Sequence, residues 1–199
     1  FGMEPQLTTE ISDENCIIVG SLNSKYIKQL IQKEKLEKKQ LQGKNEKYII
    51  TTVDAPFNGV KKALVIAGSD RRGTIYGIYE LSKQLGVSPW YWWMDVPVVK
   101  RAEAYILPGI YTDGEPAVKY RGIFLNDEAP CLTSWVKQYY GTDFGDHRFY
   151  AQVCELILRL KGNFLWPAMW GWAFYADDSL NSKTADEMGV IIGTSHHEP

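Results

Sequence analysis

The second part of the chain repeats one pattern, in which a predicted strand is followed by a loop that contains polar residues. The predicted strands cover residues 118–125, 163–166 and 189–194. Apolar residues at intervals of three and four predict a helix over 148–160, and another helix is predicted around 184–188. Strands that alternate with helices form a parallel sheet, because a parallel neighbour requires a crossover connection. The sequence therefore predicts a β-α-β-α-β arrangement.

Polar residues follow each of the three predicted strands, at the edge of the sheet where α/β proteins bind their ligands. The candidate side chains in these loops are Asn126, Asp127, Glu128, Asp177, Asp178, His196, His197 and Glu198. Glycoside hydrolysis uses such a set, because one carboxylic acid protonates the leaving oxygen and a second carboxylate activates water. A helix cap or a solvated loop charge explains Asp177 and Asp178 equally well.

The neighbouring histidines raise the alternative of a metal site. His196-His-Glu198 has neither HExxH nor HxH spacing, and adjacent residues of an extended segment point in opposite directions. The three cysteines have no CxxC spacing, and the chain contains no GxSxG elbow. We therefore predict no metal site, no disulfide framework and no serine nucleophile.

Tryptophan is unevenly distributed, since all seven residues lie between Trp90 and Trp172. Aromatic faces stack on sugar rings or on bases, and the net charge of −2 argues against a nucleic-acid partner. A core position explains any single tryptophan. Trp166, Trp170 and Trp172 together, in a segment interrupted by Pro and Gly, favour sugar binding. No apolar stretch is long enough to predict a membrane span.

The first part of the chain, to about residue 116, has the pattern of a small α/β layer. Strands are predicted over residues 16–20, 48–52 and 63–67, and helices over 25–42 and 74–85. Several prolines and glycines then predict an irregular connection to the second part.

Gly68-Ser-Asp-Arg-Arg-Gly73 connects the last of these strands to the second helix, the position of a phosphate-binding loop. The segment matches neither GxGxxG nor GxxxxGK[ST], so we interpret it as a structural turn.

Chain length constrains the second part. A complete (β/α)8 barrel needs at least about 200 residues, and residues 118–199 provide three strands. Another parallel sheet would give the same local pattern. We predict an α/β protein with a small N-terminal α/β domain and linker over residues 1–117. Residues 118–199 are predicted to form the first three βα units of a (β/α)8 TIM barrel.

Five motifs in order resemble those of glycoside hydrolase family 115. They are Gly68-Ser-Asp-Arg-Arg-Gly-Thr-Ile-Tyr-Gly-Ile-Tyr-Glu-Leu-Ser82, Gly86-Val-Ser-Pro-Trp-Tyr-Trp-Trp93, Tyr120-Arg-Gly-Ile-Phe-Leu-Asn-Asp-Glu-Ala-Pro130, Trp166-Pro-Ala-Met-Trp170 and Gly193-Thr-Ser-His-His-Glu-Pro199. The resemblance implies an α-glucuronidase that releases α-1,2-linked (4-O-methyl)glucuronic acid from glucuronoxylan or its oligosaccharides. It implies inversion at the anomeric carbon, no cofactor and a homodimer.

By these motifs, the uronic-acid pocket is expected to be lined by Asn126, Asp127, Glu128, Trp166, Trp170, Asp177, His196, His197 and Glu198. Glu128 and Asp177 are expected to touch the sugar or the attacking water. The resemblance assigns the general acid to later barrel strands, beyond residue 199, so we expect residues 1–199 alone to be inactive. A polymeric plant substrate leads us to expect secretion or a periplasmic location.

Two other functions fit the same residues. A hexosaminidase-like glycosidase begins with the same two domains, and a substrate panel separates it from an α-glucuronidase. A sugar-binding module without catalysis would use the tryptophans as a stacking platform and would bind xylan without releasing uronic acid.

Overall fold

The computed structural model describes residues 6–11, 14–167 and 171–193 and divides the chain into two compact units, with the boundary between Ala117 and Val118. The first unit contains β1 (Asn15–Ser21), α1 (Lys25–Gln32), a 3-10 turn (Lys38–Gln40), β2 (Tyr48–Asp54), β3 (Lys62–Gly68), α2 (Arg71–Gln84) and β4 (Ile110–Tyr111). The second contains β5 (Gly122–Leu125), α3 (Leu132–Tyr140), α4 (His147–Arg159), β6 (Phe164–Pro167), α5 (Phe174–Asp177), α6 (Leu180–Met188) and β7 (Ile191–Ile192).

The first unit is built on a four-stranded sheet with the order β1-β3-β2-β4. β1 runs parallel to β3, whereas β2 runs antiparallel to both β3 and β4. Ile27 and Leu30 of α1 pack into a buried apolar cluster with Val65 and Ala67 of β3. The predicted α/β class and the three predicted strands of this unit are confirmed. The short strand β4 was not predicted, because it lies within the Pro- and Gly-rich connection.

The predicted helix over residues 25–42 is wrong in length, because α1 ends at Gln32. Continuation of the helix would extend the apolar stripe of Ile27 and Leu30 to Glu34 and Lys38, which are charged. Glu34 instead adopts a left-handed conformation with φ 57°, and the chain turns. Leu41 can then return to the core, where it is fully buried.

The Gly68–Gly73 turn is held by contacts within the first unit. Asp70 caps α2 by accepting a hydrogen bond from Gly73 N at 2.8 Å, and its other oxygen accepts one from Glu46 N at 2.7 Å. Arg72 forms an ion pair with the buried carboxylate of Glu46. α2 therefore begins at Arg71, earlier than predicted, because the capping aspartate precedes the expected start. These contacts support the structural interpretation of the turn.

The second unit is built on a sheet of three parallel strands in the order β5-β6-β7. The helix predicted over 148–160 is confirmed as α4, and the one predicted around 184–188 is confirmed as the longer α6. The helix α3 was not predicted. The three parallel strands agree with the start of a barrel, and the barrel itself stays a prediction.

The two faces of this sheet differ. On one face Leu165 is fully buried beneath the helices. On the other face Phe124 and Trp166, paired in the strand register, remain 50% and 38% exposed. Among the described residues, no helix is long and apolar enough to cross a membrane.

Candidate functional site

The loops after β5 and β6 begin side by side, because the two strands are parallel and Leu125 is paired with Pro167. A buried carboxylate joins the loops. Asp127 is only 3% exposed, and its Oδ2 accepts hydrogen bonds from Gly171 N at 3.2 Å and from Trp172 N at 3.1 Å. The side chain of Asp127 therefore holds the backbone of the second loop against the end of β5.

The same residue also anchors the start of α3. The backbone oxygen of Asp127 accepts a hydrogen bond from Thr133 Oγ1 at 2.5 Å. Because both the side chain and the carbonyl of Asp127 are engaged, the position of the next residue, Glu128, is restricted. The sequence predicts Asp127 in the uronic-acid pocket, which stays a prediction; in the structure the residue holds the two loops together.

A cleft of about 320 Å³ opens beside this anchor. It is lined by Asp127, Glu128, Ala129, Thr133, Asp143, Gly171 and Trp172. Glu128 is exposed to solvent, as expected for a group that meets a ligand. No Lys, Arg or His side chain is among the described residues that line the cleft, so its charge comes from carboxylates.

Asp143 and Thr133 were not among the predicted site residues. Both belong to the long connection between β5 and α4, which also contains α3. The rule that ligands bind at the carboxyl ends of parallel strands covers this whole connection, so it could have pointed to both residues. Asp143 Oδ1 also forms an exposed ion pair with Lys137 Nζ at 2.6 Å.

Asp177 serves its own helical turn. Its Oδ2 accepts a hydrogen bond from Ala173 N at 2.6 Å, at the start of α5. Asp177 does not appear among the described residues that line the cleft. This arrangement matches the structural alternative that the sequence left open for this residue.

Asp178 forms a second link between the two loops. Its Oδ2 lies 2.7 Å from His147 Nδ1 and also accepts a hydrogen bond from His147 N at 3.0 Å. Together with a hydrogen bond from Leu180 N, these contacts with His147 lower the pKa of Asp178 to about 2. Asp178 is therefore ionised at neutral pH and holds the start of α4 against the start of α6.

A third link comes from Asn181, which is fully buried in α6. Its Nδ2 donates to Gly145 O at 3.1 Å and to Phe174 O at 2.9 Å. Asp146, the next residue after Gly145, caps α4 by accepting hydrogen bonds from the backbone N–H groups of Arg148 and Phe149. Burial opposes ionisation of Asp146, but hydrogen bonds from the Arg148 guanidinium and from the backbone outweigh it and lower its pKa. The start of α4 is therefore tied to α5 and α6.

The remaining predicted residues lie elsewhere or outside the described part of the chain. Asn126 is exposed, and Trp166 packs edge-on against Phe124 at 5.6 Å on the open face of the sheet. Neither residue lines the cleft. Four predicted residues lie outside the described residues: Trp170, His196, His197 and Glu198. Within residues 6–11, 14–167 and 171–193, no group of three His, Cys, Asp or Glu side chains is placed to hold a metal ion.

Two descriptions of known protein families match different parts of the chain. Residues 113–199 match the family described as Glycosyl hydrolase family 115, and residues 1–81 match the family described as Glycosyl hydrolase family 67 N-terminus. No curated protein sequence matches the chain.

Among the solved structures that match the chain, one covers most of both units. It is a family 115 4-O-methyl-α-glucuronidase with specificity for decorated arabinogalactans, and it is 36% identical in sequence with a TM-score of 0.77. The match covers 92% of this chain and 24% of that protein, so the chain spans about a quarter of its relative's length. The predicted resemblance is thereby confirmed: the chain shares its fold with a family 115 α-glucuronidase, and its second unit matches glycoside hydrolase family 115.

Proposed function

We propose that the whole protein is an α-glucuronidase that removes α-1,2-linked (4-O-methyl)glucuronic acid from xylan, with inversion and without a cofactor. The observation that carries the proposal is the cleft between the first two βα loops, within the segment that matches family 115. This cleft has an exposed carboxylate, Glu128, beside the buried anchor Asp127.

Glu128 is proposed to contact the sugar or the attacking water. An inverting glycosidase holds its acid and its base on opposite sides of the scissile bond, about 6.5–9.5 Å apart, and usually takes them from different loops. Asp127 is unsuited to either role, because its carboxylate accepts two backbone hydrogen bonds. As the resemblance to family 115 implies, the general acid is proposed to come from later barrel strands, and residues 1–199 alone are proposed to lack turnover.

A second polymer is also a candidate substrate. The structural relative is described as specific for decorated arabinogalactans, and it shares 36% of its matched residues with this chain. An arabinogalactan decorated with glucuronic acid is therefore the alternative to glucuronoxylan. The uronic acid that is transferred to water is the same for both polymers, and only the polymer hydroxyl that leaves differs.

The test is the release of uronic acid by the whole protein from a panel of substrates. The panel contains glucuronoxylan, glucuronoxylo-oligosaccharides, a glucuronate-decorated arabinogalactan and a hexosaminide. We expect uronic acid from the xylan substrates and none of the hexosamine. Release of uronic acid from the arabinogalactan alone would support the proposed α-glucuronidase activity but assign it to a different polymer. Saturable xylan binding without any release would instead favour a sugar-binding module.

Three further properties are proposed on the same basis. A polymeric plant substrate requires access outside the cytoplasm, so we propose a secreted or periplasmic protein, which fractionation of the source cells would test.

We also propose a homodimer, which sedimentation of the whole protein would test. An assay of residues 1–199 alone tests the proposed lack of turnover.

A further inference from the structure

The first unit contains a groove of about 550 Å³ that the proposed reaction does not use. Its buried side is formed by Tyr48 and Ile50 of β2, which are 2% and 5% exposed. Its open side includes Tyr105 and Leu107, which are 86% and 76% exposed. The other lining residues come from α2, β4 and the segments beside β4: Glu80, Leu81, Gln84, Ile106, Ile110, Tyr111, Thr112 and Asp113. A largely apolar cavity of this size with a few polar groups is typical of a ligand site.

Hydrogen bonds within the first unit hold one wall of the groove in place. Tyr111 is paired with Ile50 in the antiparallel register of β2 and β4, and Thr112 Oγ1 donates to Tyr48 O at 2.5 Å. The Tyr111 hydroxyl donates to Leu107 O at 2.9 Å and so closes the segment before β4 into a loop. Because this wall is held by contacts within the protein, a ligand does not have to order it on binding.

Two tyrosines of the groove offer a ligand their rings more than their hydroxyl groups. The hydroxyl of Tyr105 donates to Glu103 Oε2 at 2.5 Å, and that of Tyr111 donates to Leu107 O. The ring of Tyr105 is nevertheless accessible, since 86% of the residue is exposed. Aromatic side chains supply large, rigid apolar faces. Such a face fits the C–H face of a sugar ring.

The charge of the groove selects among sugars. The charged side chains among its described lining residues are the carboxylates of Glu80 and Asp113, without a Lys, Arg or His. An anionic sugar would be repelled, because like charges in contact are unfavourable. Gln84 Nε2 donates to Glu80 Oε1 at 2.7 Å, which places these two polar side chains together on α2. Carboxylate and amide oxygens accept hydrogen bonds from hydroxyl groups.

We propose that this groove binds an uncharged sugar residue of the polysaccharide substrate. The sugar ring packs on Tyr105, and its hydroxyl groups donate to Glu80 or Asp113. The inference rests on the proposed function, because a polysaccharide substrate supplies the ligand. It gives the first unit a role in binding the neutral part of the polymer, whereas the uronic acid belongs to the second unit.

The test is isothermal titration of the whole protein with xylohexaose, which carries no uronic acid, and with hexagalacturonate, an anionic oligosaccharide of equal length. We expect Tyr105→Ala to raise the Kd for xylohexaose about fivefold, as the loss of one aromatic contact would. Tyr105→Phe should bind like the wild type, because the ring is retained. Tyr139→Ala on α3 is the matched control, since Tyr139 is also exposed but lies in the second unit. Hexagalacturonate should show no binding that depends on Tyr105.

Three results would overturn the inference. Xylohexaose could bind equally well to the wild type and Tyr105→Ala, or not at all, which would mean that the groove takes no sugar. Tyr105→Phe could lose as much affinity as Tyr105→Ala, which would exclude packing on the ring. Hexagalacturonate could depend on Tyr105 as strongly as xylohexaose does, which would exclude selection by charge. Each of these results leaves uronic-acid release by the whole protein unaffected, whereas a protein that binds xylohexaose as expected but releases no uronic acid would contradict only the proposed function.

Discussion

Each unit contains a strand followed by a polar turn with a buried or capping aspartate, and the two turns use that aspartate differently. In the first unit one oxygen of Asp70 caps the helix that starts at the next residue, and the other accepts a hydrogen bond from Glu46 N, 24 residues earlier in the chain. In the second unit Oδ2 of Asp127 accepts two hydrogen bonds from the backbone of a different loop, 44 and 45 residues further along the chain. The first turn is closed by contacts with its helix and with the segment before β2, whereas the second leaves Glu128 beside an open cleft.

A polar motif after a strand is therefore not in itself evidence of a ligand site. A short turn into a helix satisfies its polar groups with the helix N-terminus. A long connection, such as the one between β5 and α4, requires polar groups to hold distant loops together, and it leaves other polar groups for a ligand.

The largest effect is expected for Gly73→Ala in the first turn. A Cβ at this position would lie 2.3 Å from Lys47 O, a backbone atom that cannot move without displacing β2. Overpacking of this kind typically costs about 1–3 kcal/mol and sometimes more, and we expect the upper end for the free energy of unfolding. Denaturant unfolding measures it. Gly171→Ala in the second unit is the control, because no atom lies within 4 Å of its added Cβ. Equal stability of the two variants would contradict the close approach at Gly73.

Asp127→Ala and Asp70→Ala are each expected to lower the free energy of unfolding by about 1–3 kcal/mol, because each change leaves the backbone N–H group of a buried residue without its acceptor. For Asp127 that residue is Trp172, and for Asp70 it is Glu46. Asp70→Ala also removes a helix cap, which is typically worth about 1 kcal/mol, and Asp127→Ala also removes the hydrogen bond from Gly171 N. Both are measured by denaturant unfolding. A negligible loss for Asp127→Ala would mean that the two loops of the second unit are held together mainly by the links at Asp178 and Asn181.

The smallest effect is expected for Asp178 and depends on pH. Because contacts with His147 lower the folded-state pKa of Asp178 to about 2, its contribution to stability is complete above the unfolded value near 4 and is lost as the pH falls towards 2. Asp178→Asn should therefore be less stable than the wild type at pH 6, and the difference should shrink between pH 4 and pH 2. Chemical unfolding at several pH values measures this difference. A difference in the free energy of unfolding that stays constant down to pH 2 would show that the charge of Asp178 does not contribute to stability.

The sequence predicted those parts of the fold that depend on local periodicity. Apolar spacing was sufficient for α4, and alternating strands and helices predicted the parallel sheet of the second unit. The end of α1 was missed, although Glu34 and Lys38 interrupt the apolar stripe, because neither proline nor glycine marks the break. Local patterns also did not predict α3, whose position depends on the anchor between Thr133 and Asp127.

The sequence predicted which loops form the candidate site, but not which side chains of those loops line the cleft. The polar residues after β5 and the Trp-rich segment after β6 do meet, at Asp127 and Trp172. Which carboxylate is committed to the backbone and which one faces the cleft depends on contacts between residues far apart in sequence, and no spacing rule encodes them. The same is true of Asp143, which reaches the cleft only through the path of the long connection that contains α3.

The central claim is that Glu128, unlike Asp127, is a functional carboxylate. It is tested most directly by the rate of uronic-acid release by the whole protein carrying Glu128→Gln, with Glu187→Gln on the exposed side of α6 as the matched control. We expect Glu128→Gln to lower turnover at least about tenfold, which corresponds to about 1.4 kcal/mol in the activation barrier, with an unchanged unfolding curve. Wild-type turnover in Glu128→Gln, equal to that of Glu187→Gln, would remove Glu128 from the site and contradict the account.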